Sequence, residues 1–115
     1  MDESVIDRAI YVELRDTTGA EFMAELVDTF IEEGPAILAE LRAARAQGDA
    51  ERFRRAAHSL KSNGKTFGAV KLAALAREFE LKGMDADPPR DLAGLAELEA
   101  EYARAAAELK ALRNV

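Results

Sequence analysis

Apolar residues return every three or four positions along nearly the whole chain, and this spacing constrains the fold more than any other feature. An α-helix turns about 100° per residue, so residues at this spacing share one face of a helix. The chain also has 24 alanines and 13 leucines among its 115 residues, with few β-branched residues, and this composition favours helix. We therefore predict an all-α protein.

Turn signals divide the pattern into a short first helix and a long second helix. The first apolar stripe runs from Val5 to Leu14 and should stop before Thr17. Thr18 and Glu21 have the spacing of a capping box, which predicts the start of the second helix. Pro35 interrupts the second stripe, but the apolar spacing keeps its phase across the proline, so we expect a kink and not an end.

Three more helices are predicted after this pair. Asp49 is placed to cap a third helix, which should end where Gly64 and Gly68 bracket a turn. A fourth stripe ends near Gly83, and the Asp-Pro pair at 87–88 predicts the start of a fifth helix. Four long amphipathic helices with short connections predict an antiparallel four-helix bundle with a short N-terminal lid helix. We expect a single domain over 1–115.

The composition excludes several classes of function. The chain has no cysteine and one histidine, which excludes cysteine chemistry, disulfides and zinc sites built from cysteines or several histidines. Its formal charge of −6 argues against nucleic-acid binding, because such domains are usually basic. We find no signal peptide and no apolar run of about 20 residues, so we expect a cytoplasmic protein without a membrane span.

The single histidine, His58, lies on the outer face of the predicted third helix. Helical geometry places it about 140° from Phe53 on the apolar face, and Arg54, Lys61 and Lys65 fall on its own sector. Residues 52–65 carry five basic and no acidic side chains. A neutral imidazole nitrogen is a competent nucleophile toward phosphorus, and neighbouring cations favour the neutral form and offset phosphoryl charge. This pattern suits a phosphorylated histidine; the alternative is an ordinary surface histidine on a solvated basic face.

The segment around this histidine resembles a known signature. Residues 57–69 read Ala-His-Ser-Leu-Lys-Ser-Asn-Gly-Lys-Thr-Phe-Gly-Ala, which is similar to the His-x-Leu-Lys-Gly-Ser-Ser motif and the later Gly-Ala pair of histidine-containing phosphotransfer (HPt) domains. The resemblance extends to the stripe from Phe22 to Phe30, the Gly48-Asp49 turn and the Leu-rich stripe from Leu72 to Glu80. Part of the segment is also similar to the N-terminal phosphoacceptor domain of chemotaxis histidine kinases.

The resemblance implies a role for each matching residue. His58 would be the phosphoacceptor, Lys61 would neutralise the phosphoryl oxygens, and Gly68 would keep the neighbouring helix close beneath the site. Glu80 matches a position where relatives place Gln or Glu beside the histidine. A bond from Nδ1 to Glu80 would fix the tautomer and leave Nε2 as the nucleophile; the alternative is an ordinary surface charge. The residues expected to contact a partner are Arg54, Ser62, Lys65 and Gly68.

The function that this resemblance implies is a relay. The protein would take a phosphoryl group from the aspartate of one receiver domain and pass it to another, among the response regulators and hybrid histidine kinases of a two-component phosphorelay. The receiver would supply Mg²⁺, the acceptor aspartate and a lysine, so the chain would need no cofactor and no metal, and would have no enzymatic turnover of its own. We expect a monomer whose basic face steers an acidic receiver pocket toward His58.

Two other hypotheses remain open. Ser62-Asn63-Gly64 stands where the family has Gly-Ser-Ser, and this replacement would suit a non-phosphorylated helical adaptor that binds a receiver or kinase as a scaffold. The presence of both His58 and Lys61 argues against the adaptor. The second hypothesis is a phosphoacceptor fragment of a chemotaxis-type kinase, which would require a longer parent chain.

Overall fold

The computed structural model describes residues 5–84 and 87–114, and these residues form five α-helices and no β-strand. The predicted all-α fold is confirmed. One to five residues join successive helices, so the side chains available for chemistry lie almost entirely on helices. In chain order these are α1 (Arg8–Thr18), α2 (Ala20–Gln47), α3 (Ala50–Phe67), α4 (Val70–Lys82) and α5 (Pro88–Arg113).

Helices α2 to α5 pack into a bundle around one core. Helix α2 contacts α3 and α5, α3 contacts α4, and α4 contacts α5, so the contacts close a ring. Connections of two residues between α2, α3 and α4 bring these neighbours side by side in opposite directions. Helix α1 packs on α2 and α3 and, with the residues just before it, covers the core with the buried side chains of Ile6 and Tyr11.

Helix α1 begins later than its apolar stripe suggested. Asp7 is the N-cap, and its carboxylate accepts hydrogen bonds from the backbone N–H groups of Ala9 and Ile10. A side-chain acceptor at this position satisfies amides that have no partner inside the helix. The predicted start at Val5 is wrong, because the apolar residues Val5 and Ile6 continue the stripe outside the helix.

The boundary between α1 and α2 also differs from the prediction. Thr18 lies in the last turn of α1, where its hydroxyl donates to the Leu14 carbonyl at 2.9 Å. It does not cap α2, so the predicted capping box with Glu21 is wrong. Gly19 makes the turn alone at φ +90°, a backbone conformation that favours glycine, and α2 begins at Ala20.

Helix α2 continues through Pro35, as the unbroken phase of its apolar stripe predicted. Proline has no N–H, so the Ile31 carbonyl loses its partner within the helix. The Tyr102 hydroxyl, on α5, lies 3.2 Å from that carbonyl and 2.7 Å from the Phe30 carbonyl. Gly34 makes room for this contact, because a Cβ there would overlap the Tyr102 ring. Burial raises the pKa of Tyr102 to about 12, so the hydroxyl keeps its proton at neutral pH.

Helix α3 carries the basic segment and runs further than predicted. Asp49 caps it and accepts the backbone N–H of Arg52 at 3.1 Å, as predicted. The expected turn after Gly64 is wrong, because Gly64 is a buried residue inside the helix. The helix continues to Phe67, and Gly68 ends it in the left-handed region at φ +80°.

The last two helices have the predicted boundaries. Helix α4 ends at Lys82, beside Gly83, and α5 begins at Pro88 with Asp87 at the N-cap position. The predicted loop between them includes residues 85–86, which lie outside the described residues. In the part of the chain that the structure describes, no helix is long and apolar enough to span a membrane. The predicted stripe of α5 is buried at Leu95, Leu98, Tyr102, Ala105 and Leu109.

Candidate functional site

Helix α3 turns its apolar side inward and leaves His58 outside. Phe53, Ala57 and Leu60 are fully buried, and their spacing of three and four places them on one face. His58 projects from the other side, and its side chain is 54% exposed. An imidazole on the surface of a packed helix is accessible to a group on another protein without any rearrangement of the bundle.

Glu80, on α4, holds one ring nitrogen of His58. Its Oε2 lies 2.6 Å from His58 Nδ1, and the Glu80 side chain is only 13% exposed. An ionised carboxylate can only accept hydrogen bonds, so the proton in this contact belongs to Nδ1. In the neutral imidazole this tautomer leaves the lone pair on Nε2, the nitrogen away from Glu80.

Lys61 shares the same carboxylate. Its Nζ lies 2.6 Å from Oε1 of Glu80, one turn of α3 beyond His58. The hydrogen bond from Lys61, followed by that from His58, lowers the pKa of Glu80 below its usual value. Glu80 is therefore charged at neutral pH and binds an imidazole and an ammonium together. The three residues predicted for the reacting centre thus lie in one chain of contacts.

The close approach of α3 and α4 depends on Gly64. A Cβ at this position would lie 3.2 Å from the backbone nitrogen of Ala73 and 3.3 Å from the carbonyl oxygen of Ala69. Glycine lets the two backbones approach this closely, and the approach decides which side chains of α3 and α4 can meet. The sequence prediction placed Gly64 in a turn and missed this role; the available signal was its position on the buried stripe, four residues after Leu60.

Gly68 lies at the junction of α1 and α3. A Cβ on Gly68 would lie 2.8 Å from the Asp7 carbonyl oxygen and 3.1 Å from Cβ of Ile10. The Asp7 backbone N–H also donates to the Gly68 carbonyl at 2.7 Å. Gly68 therefore allows α1 to pack closely against the end of α3, whereas Gly64 allows α4 to pack closely beneath the site.

Most basic residues of 52–65 form ion pairs in the folded protein, which the sequence alone does not show. Three carboxylates offset much of their charge, and Arg54 in particular bonds Glu51 and not the residues around His58. Lys65 has no carboxylate within 4 Å among the described residues. Of the three cations that the sequence places on the His58 sector, Arg54 and Lys61 are therefore ion-paired. The ion pairs are Arg52–Glu40, Arg54–Glu51, Arg55–Glu51 and Lys61–Glu80.

Two other predicted contact residues lie on the exposed surface of α3 beyond His58. Ser62 is exposed four residues after the histidine, and Lys65 is exposed at the edge of a groove between α3 and α4. Val70 and Arg77 of α4 line the same groove. The sequence prediction did not select Val70 and Arg77, because only the packing of α4 brings them beside α3.

This geometry makes His58 Nε2 available as a nucleophile and places the Lys61 ammonium nearby. Nε2 carries the lone pair and Lys61 lies near enough to share a carboxylate with the imidazole, so an anionic group joined to the ring would have an ammonium nearby. Within residues 5–84 and 87–114, no group of three or more acidic or histidine side chains is placed to hold a metal ion.

Helical bundles that expose a histidine held by a carboxylate include the proteins in which a histidine carries a phosphoryl group. The chain matches the Hpt domain family over residues 25–112 and belongs to that family, which confirms the predicted family. It is similar to the crystal structure of histidine-containing phosphotransfer protein B (HptB) from Pseudomonas aeruginosa PAO1, with 28% sequence identity and a TM-score of 0.83. The match covers 98% of this chain and 97% of that chain. No curated protein sequence matches this chain.

Proposed function

We propose that this protein relays a phosphoryl group between the aspartates of receiver domains, with His58 Nε2 as the intermediate acceptor. The observation that carries the proposal is the contact of 2.6 Å between His58 Nδ1 and Glu80 Oε2. It assigns the proton to Nδ1 and leaves Nε2 on an exposed imidazole with its lone pair available. The partners are receiver domains of response regulators and hybrid histidine kinases.

In the transfer step, the group that this chain contributes to the bond change is the Nε2 lone pair, and the receiver brings an aspartyl phosphate. Nε2 attacks the phosphorus, the bond from phosphorus to the aspartate oxygen breaks, and the aspartate leaves as a carboxylate. The Nδ1 proton stays in its bond to Glu80, where the negative carboxylate stabilises the positive charge that the ring gains. The reverse step returns the phosphoryl group to a second aspartate, so direction follows the relative phosphorylation of the two receivers.

Lys61 and the receiver supply the remaining charge. When Nε2 carries the phosphoryl group, a charge-assisted bond from the Lys61 ammonium to its oxygens would stabilise the product. We propose that the receiver contributes Mg²⁺ and its own lysine, and that the present chain contributes a positioned imidazole without turnover of its own. We further propose that the protein is a monomer that acts in the cytoplasm.

A labelling experiment tests the proposal directly. Purified protein is incubated with phosphorylated receiver domains and Mg²⁺, and the protein is then tested for phosphate that is labile in acid and stable in alkali. Wild type should be labelled and His58→Gln should not. A wild-type protein that binds a receiver but takes no label from any of them would contradict the relay and favour the scaffold, in which Ser62-Asn63-Gly64 replaces the usual Gly-Ser-Ser.

The role of Glu80 is tested with two substitutions. Glu80→Leu removes the acceptor and should slow transfer by roughly tenfold or more, whereas Glu80→Gln keeps an acceptor oxygen and should slow it less. Nitrogen NMR of the imidazole separates positioning from general damage, because Glu80→Leu should lose the preference for the Nδ1-protonated tautomer. Unchanged tautomer populations in Glu80→Leu would contradict the assigned role.

A further inference from the structure

Two grooves flank the helix that carries His58. The first, here called the α4-side groove, lies where α1, α3 and α4 meet and is lined by Ile10, Lys61, Lys65, Val70 and Arg77, with small alanines between them. The second, the α2-side groove, lies between α2 and α3 and is lined by Ile37, Arg52, Arg55 and Ser59 among others. A receiver that reaches His58 can extend its contact along one groove or the other, and their chemistry differs.

The α4-side groove exposes bulky apolar side chains. Val70 is 57% exposed and Ile10 is 37% exposed, and these two belong to different helices that converge on the groove. Among the described residues that line the α2-side groove, the only bulky apolar one is Ile37, which is half-buried. Exposed apolar residues that converge on one depression, with polar residues at its edge, are typical of a protein contact.

The cations of the two grooves also differ. Among the described residues, Lys65 and Arg77 have no carboxylate within 4 Å. In the α2-side groove, Arg52 is bound to Glu40 at 2.8 Å and Arg55 lies 3.9 Å from Glu51. An acidic partner would therefore meet free positive charge on the α4 side and pairs that are already formed on the α2 side.

Lys61 makes the α4-side groove continuous with the phosphoacceptor site. Its side chain lines the groove, and its Nζ lies 2.6 Å from the same Glu80 carboxylate that holds His58. A partner seated in this groove would therefore lie against a residue of the reacting centre. No comparable ion pair links the described residues of the α2-side groove to Glu80.

From these observations we infer that the receiver domain docks in the α4-side groove, with an apolar side chain between Ile10 and Val70 and acidic groups facing Lys65 and Arg77. This inference rests on the proposed function, and it names the surface by which the receiver is recognised. Apolar contact sets the affinity and the two free cations select an acidic partner and speed its approach.

The test uses the full chain and a receiver domain that labels the wild type. Val70→Asp places a negative charge in the groove and should raise the receiver concentration for half-maximal transfer about tenfold, at an unchanged maximal rate. Leu92→Asp is the matched control, because Leu92 is 48% exposed on α5 and outside the groove. Thermal unfolding of both variants establishes that each is folded.

The cations are tested in the same assay. Lys65→Ala and Arg77→Ala should each raise the half-saturating concentration about threefold, and Lys110→Ala, an exposed lysine on α5, should leave it unchanged. Equal values for Val70→Asp and Leu92→Asp would overturn the docking site. A larger effect of Arg55→Ala than of Arg77→Ala would also overturn it, in favour of the α2-side groove. Failure of the proposed function is a separate result, since the wild type itself would then take no label.

Discussion

The two carboxylate oxygens of Glu80 contact different groups, so one residue can hold both the His58 imidazole and the Lys61 ammonium. Oε2 accepts the hydrogen bond of His58 Nδ1 and Oε1 forms an ion pair with Lys61 Nζ, each at 2.6 Å. The carboxylate is mostly shielded from water, so it orients both donors in the resting protein. The ionised state of Glu80 keeps the proton on His58 Nδ1, because a carboxylate can only accept hydrogen bonds.

The lowered pKa of Glu80 predicts a pH-dependent contribution to stability. A carboxyl group whose pKa is lower in the folded state stabilises the fold above its unfolded pKa, and this contribution is lost as pH falls through the folded value. Wild type should therefore exceed Glu80→Gln in stability most at neutral pH, and the difference should shrink below the ordinary carboxyl pKa of 4.5. Urea unfolding of both proteins from neutral to acidic pH measures it.

A matched control makes this test specific. Glu97→Gln changes an exposed glutamate of α5 and should show little pH-dependent difference from wild type over the same range. A difference between wild type and Glu80→Gln that grew as pH fell would contradict the prediction, because it would require a raised pKa for Glu80.

The sequence alone predicts part of the contact between His58, Lys61 and Glu80. Helical angles place Lys61 on the same sector as His58, since both belong to one helix. Glu80 lies 22 residues further on, and its contact depends on how α4 returns against α3. No periodicity within α3 or α4 determines that register, so only the resemblance to phosphotransfer domains selected Glu80.

Helix α3 is positioned for chemistry by a glycine in its interior. Glycine costs about 1 kcal/mol relative to alanine within a helix, so Gly64 weakens α3 taken alone. Gly64 instead allows α3 to pack closely on α4, because a Cβ at this position would contact backbone atoms of Ala69 and Ala73. Backbone atoms cannot rotate away as a side chain can, so α4 would have to move.

We predict that Gly64→Ala destabilises the protein although it improves helix propensity. Overpacking of this kind costs about 1–3 kcal/mol, and because backbone atoms of α4 take the contact we expect the cost to exceed the gain of about 1 kcal/mol in helix propensity. Urea unfolding measures the stability. Ser62→Ala is the control, because Ser62 is exposed on the same helix and a small change there meets no neighbour. A Gly64→Ala protein more stable than wild type would contradict the close packing of α3 on α4.

Tyr102 joins α5 to the proline break in α2. We predict that Tyr102→Phe lowers the free energy of unfolding by about 1–2 kcal/mol, because the half-buried Ile31 carbonyl, which Pro35 deprives of its helical partner, loses the hydroxyl donor. Thermal or urea unfolding measures the loss. Tyr11→Phe gives a comparison, since Tyr11 is also buried but lies outside this contact. Equal stability of wild type and Tyr102→Phe would contradict the role of the hydroxyl.

Helix boundaries were predictable where a single residue type decides them. Asp49 marks the start of α3, and Pro88 marks the start of α5, because their local chemistry is sufficient. The boundary at Thr18 was not, since a threonine can cap the following helix or, as here, bond back to its own. The continuation of α3 through Gly64 depends on burial against α4, which local sequence does not specify.

The whole protein carries a charge of −6, yet one surface beside His58 exposes cations without acidic partners. The basic segment alone suggested a strongly positive helix. Packing corrected this, because Glu40 on α2 and Glu80 on α4 each neutralise a cation of α3. Among the described residues of this surface, Lys65 and Arg77 keep free positive charge, and we expect the attraction of an acidic receiver to depend on them.

We predict that salt slows receiver association. Charges on a surface are screened over about 10 Å at 0.1 M ionic strength, so the association rate should fall as salt rises. Stopped-flow measurement with wild type gives the slope, and a Lys65→Ala, Arg77→Ala double variant should give a shallower one. Parallel slopes for the two proteins would contradict the assignment of the attraction to these cations.

Helix α1, the lid helix, forms one preordered side of the α4-side groove through Ile10. Asp7 caps α1 through its carboxylate and ties it to Gly68 through its backbone N–H, at 2.7 Å, so Ile10 has a fixed position. A surface that is already ordered loses little conformational entropy on binding. A carrier must release each partner after one transfer, and a small preorganised surface meets this need: it permits rapid capture and leaves the residence time short.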